Sequence, residues 1–291
     1  MEIITSLHDQ KKYSDSARSR NEKILFIPTM GNLHLGHESL IREAQKFTGK
    51  IVISIFVNPL QFNSSIDYDN YPSTSFEDMA ILSKYNIDLL FMPNKKEILD
   101  ELESLEKIKL PKYMSILCGE HRNGHFEGVF AIINKLFNII QPSFVYFGRK
   151  DYQQLLLIKH IVAEKFDNKI NIIDCETIRE ANGLAISSRN IGLNQEQKKQ
   201  AAQVQQYLQL FKKQFKAHKY RSHEIEGKWL IFKKRCLSDL LENYGIKIEY
   251  LELLTADKLD NLYSNGSNLM IFVAFYVSSR SDNRLIDNID I

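Results

Sequence analysis

Cysteine is scarce in this sequence, and long apolar runs are missing. The three cysteines, Cys118, Cys175 and Cys236, are odd in number, far apart and without a Cys-x-x-Cys pair, so they indicate neither a disulfide framework nor a zinc site. Unpaired cysteines are typical of a reducing compartment. No apolar stretch approaches the length of a membrane span, and the first residues lack a basic segment followed by an apolar one. We therefore expect a soluble, unprocessed, cytoplasmic protein with no membrane partner.

A strong charge imbalance is missing as well. The formal net charge of +2 gives no reason to expect nucleic acid as the main partner. The chain also has no internal repeat, no low-complexity segment and no flexible linker. With 291 residues, of which 44% are hydrophobic and 25% charged, the sequence predicts a globular protein of one large domain or two ordinary ones.

The first part of the chain alternates short apolar runs with helical patterns. Strands are predicted at 24–27, 51–57, 88–92, 144–147 and 170–174, and helices at 126–140 and 152–166. Near-continuous apolar strands separated by helices are typical of a parallel sheet covered on both faces. We therefore expect an α/β, doubly wound, Rossmann-like sheet. Its ligand would lie at the carboxyl ends of the strands.

The pattern changes after about Thr177. A helix is predicted to open at Asn194, which together with Gln197 resembles a capping box. A second helix at 224–243 and strands at 247–254 and 268–277 follow. The sequence thus predicts a nucleotide-binding, Rossmann-like domain over 1–177 and a smaller α+β domain over 178–291.

Two histidines three residues apart follow the first apolar strand. Gly31 and Gly36 allow a tight turn before a helix predicted from about His37 to Phe47, and a helix N-terminus attracts phosphate through its unpaired N–H groups. His34 and His37 would add donors to the same anion. The alternative is a pair of surface histidines at a helix start, but their position behind a strand, each beside a glycine, favours phosphate.

Many short motifs, distributed over nearly the whole chain, match those of a known protein family in their order and spacing. The motifs are Pro28 to His37, Ser54 to Pro59, Gln61-Phe62, Tyr71-Pro72, Gly124-His125-Phe126, Lys135 to Asn138, Gln141-Pro142, Lys150 to Gln154, Arg179-Glu180, Gly183-Leu184, Ser187 to Asn190 and Arg284 to Asn288. In these motifs the sequence resembles the pantothenate synthetase (pantoate-β-alanine ligase) family of the HIGH-motif nucleotidyltransferase superfamily. The resemblance implies an AMP-forming ligase for pantoate, β-alanine and ATP, working through pantoyl adenylate, and usually a homodimer. It also implies that the first domain binds pantoate and that the second serves as a lid.

The resemblance also implies site residues. It assigns catalysis to His37, His34, Lys150 and Arg189, and pantoate and β-alanine binding to Gln61 and Gln154. It assigns ATP binding to Met30, Gly31, Asn32, Leu33, His34, Leu35, Gly36, His37, Gly148, Arg149, Lys150, Asp151, Ile178, Ile186, Ser187, Ser188 and Arg189. Cationic and donor side chains suit the charge that develops around phosphorus. Uncharged glutamine amides suit pantoate, because they bind its carboxylate without an ion pair that would weaken it as a nucleophile. Taken alone, the 187–189 segment is better interpreted as a polar loop, whereas the two glutamines are as readily ordinary polar residues as functional ones.

Each of two aspartates can be interpreted either as a helix cap or as a functional residue. Ser75 to Asp78 reads as a capping box, whereas the resemblance implies that Asp78 helps to hold the Mg²⁺ that accompanies ATP. Asp151 lies in the nucleotide motif and is also placed to cap the next helix.

Four positions depart from the family pattern. Arg149 stands where glutamate is usual, Asn123 replaces a proline, Ser73 an arginine and Asn182 an aspartate. None of these changes removes a residue assigned to chemistry, so we expect an effect on nucleotide affinity and not on reaction type.

Two other functions remain as alternatives. One is a different nucleotidyl transfer within the same superfamily, against which Gln61 and Gln154 argue. The other is RNA binding by the basic stretch 212–235, which is interleaved with Phe215, Tyr220 and Trp229. A pair of amphipathic helices explains that stretch better.

Overall fold

The computed structural model describes residues 1–72, 74–100, 102, 108–218, 220, 222–261, 263, 268–277 and 283–291, with the backbone alone at residue 66. The chain divides into two compact units, Met1–Glu176 and Thr177–Ile291. Of the four departures from the family pattern, Ser73 lies outside the described residues.

The first unit is built on a six-stranded sheet in which every adjacent pair is parallel. The strands are β1 (Glu2–Ile4), β2 (Ile24–Thr29), β3 (Lys50–Ile55), β4 (Leu89–Phe91), β5 (Phe144–Gly148) and β6 (Asn171–Cys175), and their order is β1-β4-β3-β2-β5-β6. The doubly wound parallel sheet is confirmed. Strand β1 was not predicted, because three residues carry too little pattern.

Helices cover both faces of this sheet. They are α1 (Leu7–Ser19), α2 (Leu35–Ala44), α3 (Ser65–Asp69), α4 (Ser75–Leu82), α5 (Lys95–Leu99), α6 (Cys118–His121), α7 (His125–Ile140) and α8 (Tyr152–Phe166). The side chains of β2 alternate between the faces: Leu25 belongs to the cluster that contains Ile41 of α2. The ring of Phe26 meets that of Phe137 on α7, with centroids 6.3 Å apart. Burial on both faces explains why the strands are apolar throughout.

The sheet order places three loops beside one another. Strand β2 lies between β3 and β5, and in the register Thr29 is opposite Ile55 while Phe26 is opposite Val145. The carboxyl ends of parallel neighbours meet at the same edge of a sheet. The loops that follow β2, β3 and β5, which carry most of the predicted site residues, therefore emerge side by side.

The second unit pairs two long helices with an antiparallel sheet. Its elements are α9 (Gln195–Ala217), α10 (Ser222–Tyr244), β7 (Ile246–Thr255), β8 (Leu269–Val277) and β9 (Arg284–Asp290), with strand order β7-β8-β9. The predicted capping box is confirmed: the Asn194 side chain accepts from the N–H of Gln197, and the Gln197 side chain accepts from the N–H of Asn194. The α+β class is as predicted, whereas β9 was missed.

The basic, aromatic stretch of the second unit forms these two helices. Trp229 is 4% exposed and Phe215, Tyr220 and Phe232 pack against the same core. The amphipathic interpretation is confirmed, because these rings stabilise the unit and are not presented for stacking on bases.

Within the part of the chain that the structure describes, no helix combines the length and apolar content needed to cross a membrane.

Candidate active site

The turn after β2 requires a glycine. The Thr29 hydroxyl donates to the Ser54 carbonyl at 2.8 Å and accepts from the Gly31 N–H at 3.2 Å, which starts the turn. Gly31 and Asn32 then adopt left-handed conformations, with φ of 78° and 51°. A Cβ on Gly31 would lie 3.0 Å from Oδ2 of Asp78. Any other residue at position 31 would therefore be strained and would also crowd a carboxylate.

Asp78 holds the same turn from the other side. Its Oδ2 accepts from the Asn32 N–H at 2.9 Å and its Oδ1 from the Leu33 N–H at 2.7 Å, and the residue is 2% exposed. The predicted capping box at 75–78 is wrong. The helix is preceded by Thr74, which makes no side-chain cap bond, and Asp78 lies one turn further in. Two buried backbone donors, the farther of them 46 residues away in sequence, attract the carboxylate more strongly than a local cap does.

His34 caps helix α2 itself. Its Nδ1 accepts the Gly36 N–H at 3.1 Å, and the helix begins at Leu35, two residues before the predicted start. A Cβ on Gly36 would lie 2.9 Å from this ring nitrogen, so the cap needs glycine there. The expectation that the first N–H groups of the helix stay unpaired is wrong for Gly36. A neutral ring that accepts at Nδ1 carries its proton on Nε2.

The two imidazoles lie against each other and are neutral. Their ring centroids are 4.1 Å apart. Burial, followed by the charge of Lys150, lowers the pKa of His34 to about 4. Burial, the neighbouring His34 and Lys150 lower the pKa of His37 to about 3. At neutral pH both histidines are therefore uncharged donors and acceptors, and the nearby positive charge belongs to Lys150.

The loop after β5 contributes that lysine. Residues Arg149–Asp151 form a 3-10 helix that leads into α8. The Lys150 ammonium lies 3.4 Å from a carboxylate oxygen of Asp151, and its side chain is 17% exposed. Asp151 occupies the predicted N-cap position of α8 but makes no side-chain cap bond. Arg149 pairs with Glu176 at 2.8 Å, which compensates its charge locally.

The loop after β3 orients Gln61. Asn58 caps the short helix Pro59–Gln61 by accepting the Leu60 N–H at 3.0 Å, and its own amide donates to Gln61 Oε1 at 3.1 Å. The Gln61 carbonyl accepts from His125 Nδ1 at 2.8 Å and from Arg122 at 3.0 Å. Because Oε1 of Gln61 is engaged, its Nε2 remains to donate. The supporting roles of Asn58, Arg122 and His125 were not predicted, although Asn before Pro is a recognisable helix start.

Gln154 lies in the first turn of α8 and is partly buried, while its neighbour Gln153 is 6% exposed. The Gln153 amide accepts from the Cys118 N–H and donates to the Tyr113 and Ile116 carbonyls, at 2.8 to 3.1 Å. Of the two glutamines in the motif, Gln153 is therefore the one that fixes the segment 113–118 against α8.

A pocket of about 260 Å³ adjoins the turn. Met30, Gly31, Asn32 and Asp78 form part of its wall, and so does Lys95, the first residue of α5. The histidines, Lys150 and the two predicted pantoate-binding glutamines do not line it. The pocket therefore does not coincide with the group of side chains suited to phosphate.

The remaining predicted residues belong to the second unit. Ile178 and Ile186 pair across a hairpin, with the Ile186 N–H donating to the Ile178 carbonyl at 2.9 Å. At the hairpin turn, Asn182 Oδ1 accepts the Leu184 N–H at 3.0 Å. An aspartate would supply the same acceptor, so this departure from the family pattern keeps the turn. Asn123, another departure, lies in the first unit and presents its carbonyl to the Asn63 amide at 3.1 Å.

The segment after this hairpin is tied to β9. Ser187 Oγ caps the short helix Ser188–Gly192 by accepting the Arg189 N–H at 3.3 Å. The Arg189 carbonyl accepts from Asn283 at 3.0 Å, and its guanidinium donates to the Arg284 carbonyl at 3.4 Å. These bonds hold the segment in a defined conformation.

An ion pair holds the hairpin itself. Arg179 binds the carboxylate of Asp287 with two nitrogens, at 2.7 and 2.9 Å, and also donates to the Gly183 and Asn288 carbonyls. Asp287 is 6% exposed. The pair was not predicted, because its partners are 108 residues apart.

Among the described residues, no group of three or more His, Cys, Asp or Glu side chains is arranged to hold a metal ion. Both oxygens of Asp78 accept backbone N–H groups, and the residue is nearly inaccessible. The residues present therefore do not fit the predicted Mg²⁺ ligand.

Comparison with known proteins agrees with the resemblance in the motifs. A family model described as pantoate-β-alanine ligase matches residues 2–290. The pantothenate synthetase of Shewanella halifaxensis is 39% identical over 287 residues, covering 97% of this chain and 96% of the relative. That of Thermotoga petrophila is 36% identical over 290 residues, covering 99% of both chains.

Solved structures agree as well. The pantothenate synthetase of Thermus thermophilus aligns with a TM-score of 0.81 at 30% identity, covering 99% of both chains. A pantoate-β-alanine ligase from Francisella tularensis, solved in complex with βγ ATP and β-alanine, aligns with a TM-score of 0.78 at 32% identity, covering 99% of this chain and 97% of that one. This chain therefore belongs to the pantoate-β-alanine ligase family.

Proposed function

We propose that this protein condenses pantoate with β-alanine to pantothenate at the expense of ATP. The match to the family model over residues 2–290 carries the proposal. In the first step a pantoate carboxylate oxygen attacks the α-phosphorus of ATP, and the bond to pyrophosphate breaks. In the second step the amine of β-alanine attacks the acyl carbon of pantoyl adenylate, AMP leaves with the bonding electrons, and the amine loses a proton.

Charge stabilisation at phosphorus falls to His34, His37 and Lys150. Lys150 supplies the positive charge, and the two neutral imidazoles donate hydrogen bonds, because their lowered pKa values keep them uncharged near neutral pH. Neutral donors do not lose a proton in holding the phosphate, so we assign the histidines to charge stabilisation and not to general acid–base catalysis. Loss of one preorganised donor typically costs about 3 kcal/mol of transition-state stabilisation.

Pantoate binding is assigned to Gln61 and Gln154. The bond from Asn58 to Oε1 of Gln61 supports this assignment. It occupies the acceptor of the Gln61 amide, so the Nε2 donors are the groups that Gln61 offers a ligand, and the hydroxyl and carboxylate oxygens of pantoate are acceptors. We expect the first unit to bind pantoate and the nucleotide, with the turn Met30 to His37 and the loop Gly148 to Asp151 at the phosphates.

Further ATP contacts are assigned to Ile178, Ile186 and the segment Ser187 to Arg189 on the resemblance alone. The hydroxyl groups of Ser187 and Ser188 and the guanidinium of Arg189 are suited to phosphate oxygens. Mg²⁺ is expected to arrive with ATP and to neutralise phosphate charge. No Mg²⁺ ligand of the protein is proposed.

A coupled assay tests the function. The purified protein with ATP, Mg²⁺ and pantoate should form AMP only when β-alanine is added, and it should exchange labelled pyrophosphate into ATP without β-alanine. Lys169→Ala, which removes an exposed lysine paired with Asp167, is the matched control for Lys150→Ala. AMP formation that ignores β-alanine, or a stable nucleotide-linked product, would instead indicate another nucleotidyl transfer.

We further propose that the protein is a homodimer joined through the first unit, and that it works in the cytoplasm. Sedimentation equilibrium at micromolar concentration should give twice the mass of 33.9 kDa expected for one chain. A single-chain mass at that concentration would refute the dimer.

A further inference from the structure

We propose that Asp78 is a positioning residue that holds the turn carrying His34, and that it does not bind Mg²⁺. The inference rests on the proposed function for its catalytic consequence. Its geometric basis is the pair of bonds from one buried carboxylate to two consecutive backbone N–H groups, at 2.9 Å from Asn32 and 2.7 Å from Leu33.

The carboxylate compensates an unfavourable backbone. Asn32 is in the left-handed region, with φ of 51°, where a non-glycine residue is held only if its surroundings demand it. Charge-assisted bonds to a buried carboxylate are among the stronger hydrogen bonds in proteins. The absence of a side chain at Gly31 allows this approach, because a Cβ there would lie 3.0 Å from Oδ2.

The same bonds connect Asp78 to the phosphate-binding imidazole. Leu33 immediately precedes His34, whose Nδ1 in turn accepts the Gly36 N–H at 3.1 Å. A shift of the Leu33 N–H would move the His34 backbone and would break this cap. Asp78 thus controls where the Nε2 donor of His34 points, although it does not touch the substrate.

The bonds also decide which groups of the turn remain for phosphate. The N–H groups of Asn32 and Leu33 are engaged by Asp78, and that of Gly36 by His34. These three N–H groups are therefore not left for phosphate, which gives the side-chain nitrogens of His34, His37 and Lys150 a larger share of its recognition at the turn.

The surroundings of Asp78 disfavour a cation. It is the sole acidic residue among the described residues that line the adjoining pocket, and Lys95 belongs to the same wall. Mg²⁺ requires near-octahedral oxygen ligation at about 2.1 Å and usually takes one or two accessible carboxylates. A carboxylate that is 2% exposed and whose two oxygens both accept backbone N–H groups does not meet these requirements.

Asp78→Asn tests the inference with little change in shape. The amide oxygen keeps one acceptor, but its NH₂ group faces a backbone N–H, so one buried donor is left unsatisfied. We expect kcat of pantoate-dependent pyrophosphate exchange to fall roughly 10- to 100-fold. The Mg²⁺ concentration for half-maximal rate should stay within about twofold of the wild-type value. Asp15→Asn, which removes an exposed carboxylate of the same unit, should change neither quantity.

The results that would overturn the inference are distinct. A shift of the Mg²⁺ half-saturation by more than about tenfold, with kcat recovered at high Mg²⁺, would identify Asp78 as a metal ligand. Wild-type kinetics in Asp78→Asn would show that the two bonds do not matter.

A spectroscopic measurement separates this inference from the proposed function. In ¹⁵N-labelled wild-type protein without substrates, the Asn32 and Leu33 amides should exchange slowly with solvent, and Asp78→Asn should accelerate both at least tenfold. Fast exchange of these amides in the wild type would refute the contact even if the enzyme is active. A protein with slow exchange but no pantoate-dependent activity would refute the proposed function alone.

Discussion

The buried histidine pair predicts a loss of stability in mild acid. An unfolded histidine has a pKa of about 6.5, whereas that of folded His34 is lowered to about 4 and that of His37 to about 3. Between pH 6.5 and the folded values, the unfolded chain binds protons that the native protein does not bind. The free energy of unfolding must therefore fall as the pH falls through this window, and it is unaffected by these residues above it.

The size of the effect follows from the two pKa differences. Between pH 7.5 and pH 5, linkage gives about 2 kcal/mol for each histidine, or about 4 kcal/mol for the pair. The assay is urea unfolding at pH 7.5, 6 and 5. Unfolding is monitored by the fluorescence of Trp229 and by circular dichroism, which records the helices and strands of both units. Trp229 reports on the second unit, because it is buried in that core.

The matched variant is the double substitution His34→Gln, His37→Gln, which keeps hydrogen-bonding groups but cannot titrate in this range. Its first unit should lose about 4 kcal/mol less than the wild type between pH 7.5 and pH 5. A difference below about 1 kcal/mol would refute the reasoning, because it would mean that the native imidazoles accept protons nearly as readily as unfolded ones.

Three further sets of substitutions have expected outcomes. Lys150→Ala and His37→Ala should each lower pyrophosphate exchange by roughly 100- to 1000-fold, because each removes a preorganised group at phosphorus; exchange within threefold of wild type in a folded variant would contradict these roles. Gln61→Ala should raise the KM for pantoate and leave that for ATP nearly unchanged, as initial-rate kinetics would reveal; an equal rise in both would contradict a pantoate role. Asp287→Ala should destabilise the second unit by about 3 kcal/mol or more, because it leaves the Arg179 guanidinium without its carboxylate. An unchanged unfolding temperature of this unit in calorimetry would show that the pair does not stabilise it.

Much of the fold was readable from local pattern. The apolar runs of β2 and β5 and the helical periodicity of α7 and α8 predicted those elements to within two residues at either end, because each contains enough residues to show its period. Strands β1 and β9 escaped prediction for different reasons. Strand β1 has only three residues, while β9 buries Asp287 and Asn288, which read as exposed until the Arg179 partner is known.

Part of the candidate site could also be predicted from local sequence, and part could not. The glycines and histidines of the turn, the loops after β3 and β5, and their position at one sheet edge followed from strand order along the chain. The pattern around Asp78 favoured a helix cap, because the local sequence contains a capping signature and no trace of a partner 46 residues away. The engagement of the Gly36 N–H by His34 was equally hidden, since it depends on a ring conformation.

The sequence by itself determined which chemical groups this protein has and which strand end each follows, because strand and turn preferences are local. Only the tertiary structure decided the protonation and the hydrogen-bond partners of these groups. It decided that His34 and His37 are neutral, that Asp78 serves the turn and not a cation, and that Gln61 offers donors. Protonation and hydrogen-bond direction depend on burial and on partners distant in sequence, and neither is encoded in a short window of residues.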